Sequence, residues 1–354
     1  MAKRPNWHRI GIGTLVLIFA LFTGCERSGG HSTASSLSKW PSRTLTSTGV
    51  VQAITPATRA VYWLALSSQM SGSNVRVTPT RYVASGRITH GMSVSGVVGN
   101  PALTITGGWV WVVIGVGADA MVEQLDPTTL HVHAERSLSV KNTLYPLQYP
   151  LLTETLGGPL WVAAGEDMWA LDPSTGTVES EFDAGNEISS MSSDPSGTLL
   201  YTGGEVPGES GMIVTEYSAR TGRQLDRSDQ QLALAAGTVA ATNGGVWVSY
   251  RSGMAGSPQE LSSKDLSRVA PPINTKHPFD TFFQMMGVSS AVSEGVLWLT
   301  SLLDLSCVDP VTSAVRASEA AGVSDPTALG GQLYARPSSG GVVVITPPRA
   351  CFGK

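Results

Sequence analysis

The chain has 354 residues, of which 42% are hydrophobic and only 14% charged, with 39 glycines and a formal net charge of -4. That length admits two domains or one repeated β architecture, and the shortage of charge beside abundant Gly, Ser, Thr and Val suits short strands and tight turns rather than long surface helices. An acidic balance with no Lys/Arg cluster after the first few residues argues against a nucleic-acid partner, which requires a concentrated basic surface.

At the N-terminus Lys3, Arg4 and Arg9 precede an uncharged apolar run from Ile10 to Phe22 that ends at Thr23-Gly24-Cys25. A positive segment, a short apolar run and small residues before a cut read as an export signal over residues 1–24. The run falls short of the roughly 20 apolar residues of a spanning helix. Leu21-Phe22-Thr23-Gly24-Cys25 resembles the bacterial lipobox, in which the Cys is diacylated and becomes the new N-terminus. The resemblance implies lipidation at Cys25 and a lipid-anchored body on the extracytoplasmic face of the cell membrane. Phe22 stands where the lipobox usually carries a smaller aliphatic residue, so plain cleavage near Cys25 and an uncleaved anchor are the other readings. Residues 25–43 are polar without apolar periodicity and read as a flexible tether; residues 44–354 read as one domain. Within the tether Trp40 either docks onto the body or meets the membrane surface.

In the body an aromatic residue recurs after a turn: Trp63, Trp111, Trp161, Tyr201, Trp247, Trp298 and Tyr334. The gaps of 48, 50, 40, 46, 51 and 36 residues match one propeller blade per repeat. Six of the seven follow a glycine-bearing turn, such as Gly107-Gly108, Gly157-Gly158 or Asn243-Gly244-Gly245, as expected where a hairpin demands positive φ. A second mark follows each aromatic: Leu125-Asp126-Pro127, Leu171-Asp172-Pro173-Ser174-Thr175-Gly176, Tyr217-Ser218-Ala219-Arg220-Thr221-Gly222 and Val308-Asp309-Pro310. The Asp accepts backbone N–H groups across a hairpin and Pro sets its φ, so these aspartates read as turn residues rather than acids of a site. Small residues precede the Gly turns, for example Ser189 to Ser193 and Thr238 to Thr242, as the crowded inner strands near a propeller axis require.

These marks predict an all-β, seven-bladed propeller of four-stranded antiparallel blades. The last repeat runs short of an outer strand, and Thr44 to Val51 is expected to supply it and close the ring. The pattern resembles the YVTN, virginiamycin-B-lyase-like and quinoprotein-like propeller repeats over about Gln52 to Cys351. Ala170-Leu171-Asp172-Pro173-Ser174-Thr175-Gly176 resembles the start of the tryptophan-docking motif of quinoprotein dehydrogenases. Ser180 stands where that motif has its Trp and Thr177 where it often has Lys, which argues against a quinone; no cofactor is expected. Cys307 and Cys351 are expected to form a disulfide closing a loop of 44 residues, a staple of roughly 3 to 4 kcal/mol in the chain-entropy account. Neither Cys has a partner at metal-ligand spacing.

Ligand sites on propellers usually sit at the end that carries the loops between second and third strands and the links between blades, an expectation by analogy with the fold. Those loops hold Asp119, Glu166, Asp167, Glu205, Glu209, Arg251 and Asp304, an acidic rim without a calcium-loop pattern. The links carry Tyr145 and Tyr149, and then His277, Phe279, Asp280, Phe282 and Phe283, adaptable apolar surface for a ligand or partner, or else a plug for the channel. His131 and His133 alternate on an outer strand, and His90 lies near a blade end. No catalytic set and no metal site stand out: Gly-x-Ser-x-Gly, His-Glu-x-x-His and phosphate-loop patterns are absent. The leading expectation is a non-enzymatic scaffold for an envelope protein or small ligand. The alternative is a metal-assisted lyase or lactonase-like propeller enzyme using Glu166 or His277.

Overall fold

The computed structural model describes residues 40–46, 50–68, 75–141, 150–205, 211–228, 237–250, 258–269, 289–300, 304–337 and 339–353. Blade 1 comprises β2 (Val50–Ala57), β3 (Ala60–Ser68), β4 (Val75–Val83) and β5 (Ile88–His90), with β6 (Val94–Ser95) also paired to β4. Blade 2 follows as β7 (Val97–Thr106), β8 (Trp109–Val116), β9 (Asp119–Leu125) and β10 (Val132–Ser139). Blade 3 is β11 (Leu151–Glu154), β12 (Leu160–Ala164), β13 (Asp167–Leu171) and β14 (Val178–Asp183), and blade 4 is β15 (Glu187–Ser193), β16 (Leu199–Glu205), β17 (Met212–Ser218) and β18 (Gln224–Arg227). Blade 5 has β19 (Gly237–Ala241), β20 (Gly245–Tyr250) and β21 (Gln259–Ser262), with a single bridge from Leu261 to Arg268 beginning its outer edge. Blade 6 is β22 (Ser289–Ser293), β23 (Val296–Thr300), β24 (Asp304–Val308) and β25 (Val315–Ala320). Blade 7 is β26 (Val323–Leu329), β27 (Gln332–Pro337), β28 (Val342–Ile345) and, as its outermost strand, β1 (Ser42–Thr46).

The first strands touch in the circular order β2, β7, β11, β15, β19, β22, β26 and back to β2, so the seven sheets form a closed ring, a β-propeller. All pairings are antiparallel, and among the described residues the one helical piece is the 3-10 turn Arg349–Phe352. No helix among them is long and apolar enough to cross a membrane.

The small residues of the inner strands relieve crowding and also join blades. Two inner strands lie edge to edge without pairing, so their free N–H and C=O groups need other partners. Hydroxyls supply them. Ser190 and Ser192 accept the N–H groups of Val239 and Ala241 at 2.9 and 3.0 Å. Thr238 accepts from Ser290 N–H at 3.0 Å, Ser293 from Ala328 N–H at 2.8 Å, and Ser193 donates to the Glu154 carbonyl at 2.7 Å.

Each of the seven aromatics lies on the second strand of its blade, opposite a residue of the third strand: Trp63 with Thr80, Trp111 with Gln124, Trp161 with Ala170, Tyr201 with Glu216, Trp247 with Glu260, Trp298 with Cys307 and Tyr334 with Val344. From these paired positions the blade reaches the hairpin between third and fourth strands of the next. Gln124 donates to the Ser174 carbonyl at 3.0 Å, Ser313 donates to Glu260 at 3.5 Å, and Trp161 Nε1 donates to the Ala219 carbonyl at 2.9 Å. The closing Gly of the hairpin sits on the ring of the preceding blade: a Cβ on Gly176 would lie 3.0 Å from Trp111, and one on Gly222 2.9 Å from Trp161. Both glycines have positive φ, +70° and +67°, so glycine is required there twice over, by conformation and by contact.

Within each hairpin the aspartate does what turn chemistry predicts. Asp126 Oδ1 accepts from Thr128 N–H at 2.9 Å and Thr129 N–H at 2.7 Å, and Asp172 Oδ1 from Ser174 N–H at 2.7 Å and Thr175 N–H at 3.0 Å. Hydrogen bonds from the Thr129 backbone and hydroxyl hold Asp126 below the usual carboxylate range; those from the Ser174 side chain and backbone do the same for Asp172.

Ring closure differs in one detail from the expectation for Thr44 to Val51. The closing strand is Ser42–Thr46, pairing Ser42 with Ile345 and Thr44 with Val343, whereas Val50 and Val51 already belong to the innermost strand of blade 1. Val51 and Ile54 are buried with Val61, Trp63 and Val342, so their apolar face is claimed by blade 1. Arg336 ties the seam by donating to the Val51 carbonyl at 2.6 Å while paired with Asp325. Trp40 packs into the cluster of Trp298, Leu333 and Cys351, so the propeller begins before residue 44.

Cys307 and Cys351 are disulfide-bonded with their Cα atoms 5.5 Å apart. Cys307 occupies the position opposite the aromatic, so in blade 6 a covalent bond reaches forward where blade 2 uses Gln124. The 3-10 turn carrying Cys351 stands in for an Asp-Pro hairpin; its Phe352 meets Trp298 edge-on at 6.1 Å, and Arg316 holds the Cys351 carbonyl at 2.8 Å.

Two outcomes test this architecture. Gly222→Ala should lower stability by at least about 1 kcal/mol more than Gly86→Ala in urea unfolding, because both suffer a left-handed backbone but only the first overpacks a ring. Reducing the disulfide, or Cys307→Ala, should cost about 4 kcal/mol for a separation of 44 residues, read as a shift in the unfolding midpoint. Two free thiols on alkylation of unreduced, denatured protein would refute the bridge.

Candidate functional site

Strand order gives the ring two unlike ends. The turns between first and second strands and the Asp-Pro hairpins share one end, the turn end; the loops between second and third strands and the links between blades share the other, the loop end.

Of the residues expected at the loop end, Tyr145, Tyr149, Glu209, Arg251, His277, Phe279, Asp280, Phe282 and Phe283 lie outside the described residues, as does Cys25. Glu166 is at the tip of the β12–β13 hairpin, whose backbone is tied to the link into blade 4: the Glu166 carbonyl accepts from Ala184 at 2.8 Å and the Gly165 carbonyl from Ile188 at 2.9 Å. Partial burial, then the charges of Asp183, Glu187 and Asp167, raise the Glu166 carboxyl above its ordinary pKa. Asp167 plays a different part. It is 2% exposed and accepts the Lys141 N–H at 2.6 Å, holding the link between blades 2 and 3. Asp119 accepts from Ser137 at 2.9 Å. Among the described residues no group of three or more His, Cys, Asp or Glu side chains is placed to hold a metal ion. The histidines are dispersed: His133 stacks on Trp109 at 4.3 Å, His90 contacts Thr80 at 3.2 Å, and His131 lies in the turn before β10.

The turn end, in contrast, holds a cavity of about 370 Å³ over the mouth of the channel. Inner strands of blades 2 to 6 and the turns that follow them line it, through Thr106, Thr155, Ser192, Ser193, Ala241 and Ser293 together with three acidic residues, Glu154, Asp194 and Glu294. Among the described residues no lysine or arginine lines it. Two of the acids are committed to the fold. Asp194 accepts from Leu199 N–H at 2.7 Å and Ser196 N–H at 3.1 Å. Glu294 reaches the next blade, accepting from Gly330 and Gly331 N–H groups at 2.5 and 3.0 Å. Glu154, at the end of β11, is exposed, and its carboxylate accepts no hydrogen bond from the described residues. Leu156, 76% exposed, stands at the lip.

The expectation that interest lies at the loop end did not anticipate this cavity. The sequence carries a partial signal for it: Asp194 and Glu294 each follow a small-residue inner strand and precede the glycine of its turn, whereas Glu154 ends the inner strand Leu151–Glu154. Only the ring brings the three together.

The fold defines a seven-bladed β-propeller. No family profile and no curated protein matches the sequence. Among solved structures the chain is similar to BamB from Moraxella catarrhalis, at 12% identity over 88% of this chain and 100% of that one, with a TM-score of 0.56. It is also similar to a chain of a mitotic checkpoint complex (11% identity, 98% and 99% covered, TM-score 0.62) and to the Dos1 propeller (11%, 87% and 94%, TM-score 0.58). At such identities the likeness is one of fold.

The most perturbed acid stands away from both ends. Glu123, 4% exposed, shares a sheet face with Val112 of the apolar cluster between blades 1 and 2, and burial followed by the charge of its cross-strand neighbour Glu135 pushes its pKa to about 7. The folded protein therefore holds a proton that the unfolded chain releases near its ordinary value of 4.5, and stability falls as pH rises from there to about 7. Glu123→Gln should match the parent near pH 4.5 and exceed it by up to about 3 kcal/mol at pH 8, read from urea midpoints across that range.

Proposed function

We propose that the protein is a membrane-tethered, extracytoplasmic scaffold that presents one end of its propeller to a cell-envelope protein or small ligand and performs no chemistry on it. The observation that carries this reading is the polar, acid-lined cavity at the channel mouth, held on inner strands locked to one another by side-chain hydrogen bonds, which is a preformed binding surface. The lipobox-like Leu21 to Cys25 supports the tether. The neighbours of similar fold include a chain of a multiprotein mitotic checkpoint complex, which supports a role in association.

Two measurements on cells expressing the full chain test the proposal. Labelling with a palmitate analogue should mark the wild type and not Cys25→Ala, and the variant should leave the membrane fraction. Cross-linking followed by pull-down should recover a discrete partner. A pull-down that recovers none, together with a detected turnover, would overturn the binding role, and label retained by Cys25→Ala would overturn the anchor.

A further inference from the structure

We propose that the turn end of the propeller rests on the anionic lipid surface to which the chain is tethered, through exposed arginine and lysine side chains on its turns and hairpins. This rests on the reading of the protein as a membrane-tethered scaffold and names which end meets the membrane.

The argument begins from where the chain enters the ring. β1 pairs Ser42 with Ile345, the last residue of a third strand, and the Pro41 carbonyl accepts the Thr346 N–H at 2.7 Å, so the described body begins at the turn end. Trp40 is buried there beside Leu333 and Cys351. Residues 26–39 separate it from Cys25, a stretch that spans at most about 50 Å. The turn end is therefore the end that a chain held at Cys25 draws toward the membrane.

Charge on that end divides by position. Arg87, Arg220, Arg223 and Lys264 stand on hairpins between third and fourth strands, Arg349 on the 3-10 turn that carries Cys351, and Arg59 on the turn between β2 and β3. All six are exposed, and among the described residues none is in an ion pair. The carboxylates of the same end are placed differently. Asp126, Asp172, Asp194 and Asp309 are half-buried and accept backbone N–H groups of their own turns, and Asp265 accepts from Ser267. Glu154 and Glu294 line the mouth at the centre of the ring. The outer turns thus offer cationic groups to the phosphate oxygens of lipid headgroups. Two apolar tips, Leu156 and Val311, 76% and 74% exposed, project from turns of the same end, as side chains that enter the headgroup layer do. The loop end has the opposite character: Glu166 lies near Asp183 and Glu187, whose charges an anionic surface repels. In the proposed orientation the mouth of the channel opens toward the membrane, so a protein partner that fills it is one held in that membrane.

Energy transfer in vesicles tests the orientation. The full chain, with a donor dye at Ser85→Cys on the turn end or Ala118→Cys on the loop end, is reconstituted in vesicles of phosphatidylglycerol with phosphatidylcholine, or of phosphatidylcholine alone, that carry an acceptor on their headgroups. The parent without an introduced cysteine is the blank. Blades 1 and 2 are neighbours, so the two labels differ chiefly in height above the membrane. Transfer should be stronger from position 85 than from position 118 in the anionic vesicles, and the difference should shrink in phosphatidylcholine alone and in the triple variant Arg59→Glu, Arg220→Glu, Arg349→Glu. Equal transfer from the two positions, stronger transfer from position 118, or a difference untouched by the triple variant would overturn the proposal. A chain that floats with neither kind of vesicle overturns the tether and this inference together; one that floats with both and shows equal transfer overturns this inference alone.

Discussion

The structure depends on one repeated contact, the aromatic ring of a blade lying against the hairpin of the blade after it. A single four-stranded sheet of this size cannot bury its own faces, and the ring supplies what it lacks. Trp111, Trp161, Trp247 and Trp298 are at most 2% exposed, each in a cluster of apolar side chains. The third-strand residue opposite the aromatic then sets how blades are joined: a neutral amide in blade 2, a carboxylate in blade 5, a disulfide in blade 6.

The same constraint separates the two ends chemically. At the turn end the strand termini converge on the axis and are fixed by hydroxyls and by acids, Asp194 and Glu294, that accept N–H groups. At the loop end Glu166 lies near Asp167, Asp183 and Glu187, and Asp167 and Asp119 are spent on holding links and strands. Rigidity at the first end suits a preformed subsite, because little conformational freedom remains to be lost on binding.

Buried acids mark where this fold tolerates a cost. Glu123 sits between blades 1 and 2 beside Val112, and its raised pKa makes it a neutral hydrogen-bonding group over much of the acidic range. Glu216 and Glu260, opposite their aromatics, are raised in the same direction by burial. The propeller thus gains stability toward mildly acidic pH from these groups, the reverse of the turn aspartates Asp126 and Asp172, whose hydrogen bonds favour the charged form.

The fold was legible from the chain because its signals are local. A glycine turn, an aromatic two to four residues on, and an Asp-Pro hairpin are each dictated by backbone conformation and strand period, and the spacing of the aromatics counts seven blades. Which residues meet across blades is not local. That Trp111 lies under Gly176, that Ser192 caps Ala241, and that Ser42–Thr46 rather than Val50 and Val51 closes the ring follow from the packing of segments dozens to hundreds of residues apart. The site shows the division most plainly. Glu154, Asp194 and Glu294 are scattered over 140 positions; closure of the ring brings them to one mouth, where Asp194 and Glu294 accept backbone N–H groups of the turns and Glu154 stays exposed to water.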